Sequence, residues 1–235
     1  MTNRTNLSDN PLISVIMSVY NHENVVGRAI ESILNQTYKN FELLICDDFS
    51  NDNTLKTIQD FNSSKIKIFK NKRNLGLTKS LNLLIKNSTG ELIARQDADD
   101  ISSIYRFQKQ KQFLINNDLD AVGSRSLIIN TNKVTPRFSF YLPLKFQMLF
   151  KNPLIHGSLM IKKSVLQNLN YYDEAYYYSQ DYKLLVDFIN QNYKINIMNS
   201  TLYSLNTSNN ISSNNQEEQR SCFLRARKDY KFFTL

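Results

Sequence analysis

Three carboxylates, Asp97, Asp99 and Asp100, stand within four residues of one another. Anions this close repel, and a folded chain tolerates them beside a cation or in open water. Their oxygens are hard ligands, suited to Mg2+ or Mn2+ rather than to zinc. A solvated acidic turn would carry the same spacing, so the surrounding elements have to decide between the two. A second pair, Asp47 and Asp48, ends an earlier apolar run, and Asp181 opens a later helical stretch.

Residues 92–94 form a short apolar run after the turn signal at 88–90, which predicts a buried strand with the Asp97 cluster at its carboxyl end. In α/β sheets that edge is where ligands bind. Residues 12–19 read as a buried strand, Asn21 as a helix N-cap, and Val25, Val26, Ala29, Ile30, Ile33 and Leu34 as a helical stripe. Residues 41–46 are the next strand, running into Asp47 and Asp48. A helix from Asp52 and Asn53 carries Leu55, Ile58 and Phe61. A strand follows at Ile66, Ile68 and Phe69, then a turn at 74–76 and a helix with Leu77, Leu81, Leu84 and Ile85. Strand–helix alternation with short connections predicts parallel strands with helices on both faces, so that two strands deliver aspartates to one sheet edge.

Beyond Asp100 the pattern predicts a helix over 103–116, with Ile104, Phe107 and Leu114 apolar and Arg106, Lys109 and Lys111 elsewhere around it. Short strands are expected at 121–123 and 127–129, a short helix at 146–150, a strand at 156–161, and a helix over 163–169. A helical face follows at Tyr182, Leu185, Val186 and Ile189, and a last strand at 194–198. Residues 206–215 are rich in Asn and Ser and read as a loop, and residues 216–233 as a basic helix. In that helix Cys222, Phe223, Ala226, Tyr230 and Phe233 share one face. Two expectations follow for it: peripheral contact with an anionic membrane, or packing on the main domain.

Hydrophobic residues make up 41% and charged residues 21% of the chain, ordinary values for a globular protein. The apolar run at 12–19 is too short to span a bilayer, and the polar start carries no secretory signal, so the expected compartment is the cytoplasm. Cys46 and Cys222 give no disulfide framework, and with His22 and His156 the only histidines a zinc site is disfavoured. The charge of +8 suits anionic phosphates or an anionic membrane surface. Its scatter, with no long basic run, does not suit nucleic acid. No Gly-x-Gly-x-x-Gly follows a strand, which disfavours a nicotinamide dehydrogenase.

Several segments together resemble the family 2 glycosyltransferases, inverting enzymes with the GT-A fold. They are residues 13–21 (ISVIMSVYN), 32–37 (SILNQT), 41–48 (FELLICDD), 74–76 (NLG) with Leu81 and Asn82, 97–100 (DADD), His156 with Gly157, and Gln180 with Asp181. The resemblance implies a Rossmann-like, mostly parallel sheet flanked by helices, with a smaller C-terminal acceptor-side portion. Residues 11–200 would be the transferase domain, with a nucleotide-sugar-binding half to about residue 100 and an acceptor-side half after it; residues 201–235 would be a loop and a basic helix.

The same resemblance assigns Ser18, Tyr20, Asp48, Asp97 and Asp99 to the donor, with Asp99 holding Mn2+ or Mg2+ and Asp100 able to share either contact. Asp181 takes the place of the catalytic base, where this chain has Gln180 in place of the family's more frequent Glu. Lys79, Arg73 and Arg95 are candidates for pyrophosphate or structural contacts, and His156 for a donor, acceptor or structural role. The implied activity is transfer of a sugar from a nucleotide sugar, most simply a UDP-sugar, to a glycan or lipid-linked acceptor in surface polysaccharide synthesis. A non-catalytic nucleotide-, glycan- or nucleic-acid-binding protein on the same fold is the competing expectation.

Overall fold

A computed structural model describes residues 7–207 and 215–232. Most of the predicted 206–215 loop, and Phe233 of the C-terminal face, lie outside the described residues. The first half alternates as expected: β1 (Ile13–Val19), α1 (Val26–Leu34), β2 (Phe41–Asp47), α2 (Thr54–Gln59), β3 (Ile66–Lys70), α3 (Leu77–Asn87) and β4 (Leu92–Arg95). The second half holds β5 (Ile101–Ser102), α4 (Arg106–Asn116), β6 (Ala121–Ile128), β7 (Lys133–Thr135), α5 (Leu144–Gln147), β8 (Met160–Lys162), α6 (Lys163–Asn168), α7 (Gln180–Asn190), β9 (Ile195–Leu205) and α8 (Gln216–Lys228).

The strands form one sheet in the order β3-β2-β1-β4-β8-β6-β9-β5, with β7 on β6. Pairing is parallel through β3-β2-β1-β4 and between β6 and β9; β8 joins β4 and β6 antiparallel. Alternate side chains of the central strands enter two separate cores, because successive residues of a strand face opposite ways. Val15, Met17, Leu43, Ile45 and Ala94 pack with Ile30 and Ile33 of α1 and Phe107 of α4. Ile16, Leu44 and Ile93 pack with Leu81 and Leu84 of α3, Leu185 of α7 and Ala226 of α8. Helices thus cover both faces.

Four expectations are corrected. Asn21 does not cap α1, which starts at Val26; Asn21 takes φ 54° and its Oδ1 accepts from the Asn51 N–H at 2.9 Å, joining two site loops. The strands expected at 121–123 and 127–129 are one strand, β6, whose polar Ser124 and Ser126 are buried against its neighbours. Residues 156–158 form a 3-10 turn ahead of β8, since Gly157 must approach two other residues closely. The last strand runs on to Leu205.

Glu42 fixes how the central strand β4 is entered. Its carboxylate accepts hydrogen bonds from Ser14 Oγ (2.6 Å) and from the Thr89 N–H (2.7 Å) and Oγ1 (2.8 Å), and pairs with Lys67 Nζ at 2.7 Å. Burial alone would raise its pKa, but Lys67, Ser14 and Thr89 outweigh that and hold it down to about 2 from an ordinary 4.5. A carboxylate depressed on folding contributes stability in full above about pH 4.5 and loses it as pH falls toward about 2. The melting temperature of the wild type should therefore drop more steeply over that window than that of Glu42→Gln, with the two curves converging at the acid end. Parallel curves would contradict this role.

Candidate active site

The parallel register brings three loop starts to one edge. Val19 pairs with Asp47 across β1 and β2, and Ile16 pairs with Arg95 across β1 and β4. Tyr20, Asp48 and Asp97 leave the sheet just beyond these pairs.

Asp48 is buried and organises the turn that precedes α3. Its Oδ1 accepts from Asn71 Nδ2 (2.7 Å) and the Leu75 N–H (2.9 Å), and its Oδ2 accepts from the Gly76 N–H (2.8 Å). Three donors occupy three of roughly four lone-pair sites, leaving capacity at Oδ2 for a ligand N–H. The turn needs glycine: Gly76 has φ 85°, and a Cβ there would meet the Tyr177 ring at 2.6 Å. Asn71 is a site residue that no motif announced, because its part is only to donate to Asp48 and to Ser80 Oγ.

The acidic cluster sits on two buried arginines. Arg95 Nη2 pairs with Asp97 Oδ1 at 2.5 Å. Burial works against the Arg95 charge, but Asp97 outweighs it and raises the guanidinium above its ordinary value. The Asp97 N–H donates to Tyr203 Oη at 3.0 Å, and only glycine fits beside them: a Cβ on Gly157 would lie 2.2 Å from Tyr203 Oη and 2.5 Å from Asp97 Oδ2.

Arg106, expected elsewhere around α4 than its apolar residues, is fully buried. It donates to Gln110 Oε1 (3.0 Å), Gln96 Oε1 (3.2 Å), Ser102 Oγ (2.9 Å) and Arg95 O (2.8 Å), and its guanidinium stacks 5.0 Å from the Tyr203 ring. Asp100 is buried and accepts from the Asn206 N–H at 2.7 Å. Burial, then the charge of Asp97, pushes its pKa up to about 8, and the same two causes raise Asp99.

In the second half of the chain Asp181 lies in the first turn of α7, after Ser179 at φ 55°. Its Oδ1 accepts from the Tyr182 N–H (2.8 Å) and its Oδ2 from Asn152 Nδ2 (2.7 Å), so the carboxylate is held from two elements. His156 Nε2 meets Tyr172 Oη at 2.8 Å; burial, then the Arg95 charge, holds the imidazole down to about 4. Residues 171–178 carry five tyrosines; of these Tyr172 and Tyr176 are core residues, whereas Tyr177 and Tyr178 line the cleft.

Helix α8 closes one side. Ala226 and Tyr230 are buried, Phe223 lies 4.3 Å from the Tyr182 ring, Tyr230 Oη donates to Lys145 O, and Arg227 donates to Leu149 O. Among the described residues its apolar face is covered by the domain, which is the packing alternative. No helix of the described residues is long and apolar enough to cross a membrane.

These parts surround one cleft of about 930 Å³. Ser18, Tyr20, Asp48, Arg95, Asp97, Asp99, Asp100, His156, Gln180 and Asp181 all line it, together with Asn152, Lys151 and Arg220, which the sequence reading did not single out. Arg73 and Lys79 are exposed and are not among its lining residues.

The donor chemistry fits a hard cation. Asp99 is half-buried at the cleft, and among the described residues no set of three His, Cys, Asp or Glu side chains is placed to cage an ion. Mg2+ is commonly bound by one or two carboxylates with the remaining positions taken by substrate phosphates and water. Asp99 would be the protein's ligand in such a set.

Residues 14–169 match the family model described as Glycosyl transferase family 2. The chain belongs to this family. It is 32% identical over 184 residues to the Escherichia coli UDP-Glc:alpha-D-GlcNAc-diphosphoundecaprenol beta-1,3-glucosyltransferase WfgD, covering 78% of this chain and 72% of that protein. It is 34% identical over 193 residues to the E. coli O-antigen biosynthesis glycosyltransferase WbnJ, covering 77% and 72%. The chain spans between 58% and 72% of the length of five curated relatives that it matches.

The crystal structure of S. aureus TarS 1-349 in complex with UDP-GlcNAc superposes with a TM-score of 0.77 at 18% identity, covering 92% of this chain and 66% of that one. The mannosyltransferase PcManGT from Pyrobaculum calidifontis, in complex with GDP-Man and Mn2+, gives 0.74 at 17%, covering 93% and 63%. At these identities the likeness establishes the fold, which is GT-A.

Proposed function

We propose that this chain transfers a sugar, with inversion, from a nucleotide-sugar donor to a hydroxyl of a glycan or lipid-linked acceptor in polysaccharide synthesis. The observation that carries the reading is that Asp48, Asp99 and Asp181, far apart in sequence, line one cleft. A UDP-sugar is the donor we infer, in keeping with the UDP-Glc in the name of WfgD and the UDP-GlcNAc bound to TarS.

Asp48, fixed by Asn71, Leu75 and Gly76, accepts from the ring N–H of the base, and Ser18 and Tyr20 flank it. Asp97, held by Arg95 and Tyr203, approaches the ribose. Asp99 holds the cation, and Asp100 supports the loop from behind. A bound Mn2+ or Mg2+ supplies Lewis-acid stabilisation of charge on the departing diphosphate. Arg220 and Lys151 add cationic side chains at the same cleft. Asp181 takes the proton of the acceptor hydroxyl as that oxygen attacks the anomeric carbon, and a single displacement needs no covalent nucleophile. Tyr177 and Tyr178 offer aromatic faces to an acceptor sugar.

The test is a screen of nucleotide sugars against free and lipid-linked glycans, read as nucleotide release and as the anomeric configuration of the product. Release that depends on the acceptor, with an inverted product, is expected. Release no greater than from the Asp181→Asn protein across the whole panel would remove the reading.

A further inference from the structure

Between Asp120 and Asp173 the sequence has no acidic residue, yet Arg125, Lys133, Arg137, Lys145 and Lys151 fall within that stretch. The same stretch carries the most exposed large apolar side chains of the described chain: Phe138 is 81% exposed, Tyr141 73% and Phe150 67%, with Leu142 and Phe146 also exposed. The two sets share one surface. Arg125, Lys133, Arg137, Phe138 and Tyr141 line a single shallow concavity. Lys151 Nζ reaches back to Ser139 Oγ at 2.7 Å, and Phe146 packs 5.3 Å from Phe150. Arg137 and Arg125 lie over the Phe138 and Phe140 rings at 5.5 and 5.2 Å. Among the described residues none of Lys133, Arg137 and Lys145 pairs with a carboxylate.

Rings and an aliphatic side chain left in water, ringed by unpaired cations, match an anionic lipid surface in both polarity and charge. Aromatic side chains settle at the headgroup level, and Lys and Arg meet the lipid phosphates. We propose that the 133–151 segment is a docking surface for an anionic bilayer. Because Phe150 and Lys151 also line the cleft, docking there places the cleft's mouth at the headgroup layer. The surface is distinct from α8, whose apolar face is already covered. Single-stranded nucleic acid would also meet cations and rings, but it needs a groove that tracks its backbone. The concavity here is short, lined by seven residues between Arg125 and Tyr141, and the exposed Leu142 beside it has no stacking role.

The experiment is co-sedimentation of the full chain with vesicles of phosphatidylcholine alone or mixed with phosphatidylglycerol, at low and high salt. Binding to the mixed vesicles at low salt is expected, weakened by salt and absent on phosphatidylcholine alone. Phe138→Ser with Tyr141→Ser should weaken it about tenfold or more. Lys133→Gln with Lys145→Gln should weaken it several-fold for each cation removed. Lys228→Gln on α8 should leave it unchanged. Thermal melting confirms that each variant is folded, and no donor is needed, so the outcome is independent of the transferase reading. Wild-type protein that ignores the mixed vesicles, or a folded Phe138→Ser/Tyr141→Ser variant that binds like wild type, overturns the proposal. So does a variant set that loses a short single-stranded oligonucleotide while keeping the vesicles.

Discussion

Asp181→Asn should abolish nearly all transfer while leaving nucleotide affinity unchanged. A positioned general base contributes about 10²- to 10⁴-fold to rate, and the amide cannot take the acceptor's proton. The substitution keeps the side chain's shape and one carbonyl oxygen to accept from the Tyr182 N–H; it gives up the bond from Asn152 Nδ2, a contact that does not involve the Asp48 and Asp97 loops. The loss should therefore fall on kcat, with the donor's KM nearly constant, which marks an interaction made only in the transition state. Steady-state kinetics with a saturating acceptor, beside calorimetric titration of nucleotide, separates the two quantities. Wild-type kcat in the Asp181→Asn protein would rule out the assignment of the base.

Arg106→Met should be the most destabilising single change around the site. The side chain is wholly buried, and its removal takes the Arg106 donor from Arg95 O, Ser102 Oγ and Gln110 Oε1, while Gln96 Oε1 keeps the Ser102 hydroxyl as a donor at 2.7 Å. Leaving several buried acceptors unpaired, and removing the cation that the nearby Asp97 and Asp100 carboxylates face, costs on the order of 3–5 kcal/mol. For a chain of this length that corresponds to a fall in Tm of about 10 °C or more. Activity should fall as well, because Tyr203, which stacks on Arg106, receives the Asp97 N–H. Arg106→Lys places one compact charge where a planar fork spans four acceptors, and should recover only part of the loss. A melting temperature for Arg106→Met within experimental error of wild type would contradict this account.

The parts of the fold that were legible in the sequence are those where one strand coincides with one mostly apolar run, interrupted only by Ser14 and Ser18 in β1 and Glu42 in β2. The strands β1, β2 and β4 are buried on both faces, so their residues announce them, and the aspartates that follow mark the edge. The second half obeys weaker rules. Ser124 and Ser126 are buried in β6 and break its apolar pattern, so one strand read as two. The two-residue β5 and three-residue β7 are too short for any periodicity. The burial of Arg106 was not legible, because helical spacing only sets it apart from the apolar residues of α4, whereas the buried acceptors that hold it come from Arg95, Gln96, Ser102 and Gln110. Asn71 and Asn152 carry no signal of their own: each matters only through the carboxylate that it holds. Gly157 was legible as a motif, but its reason, the approach of Asp97 and Tyr203, is visible only in three dimensions.

The central claim is that separated carboxylates share a cation and a nucleotide in one cleft. Calorimetric titration of UDP with and without Mn2+, on the wild type and on Asp99→Ala, tests it most directly. The account predicts that Mn2+ tightens nucleotide binding by about tenfold or more in the wild type, within the usual range of coupled sites, and not in Asp99→Ala. Equal UDP affinity with and without metal, or a coupling that survives in Asp99→Ala, would contradict it.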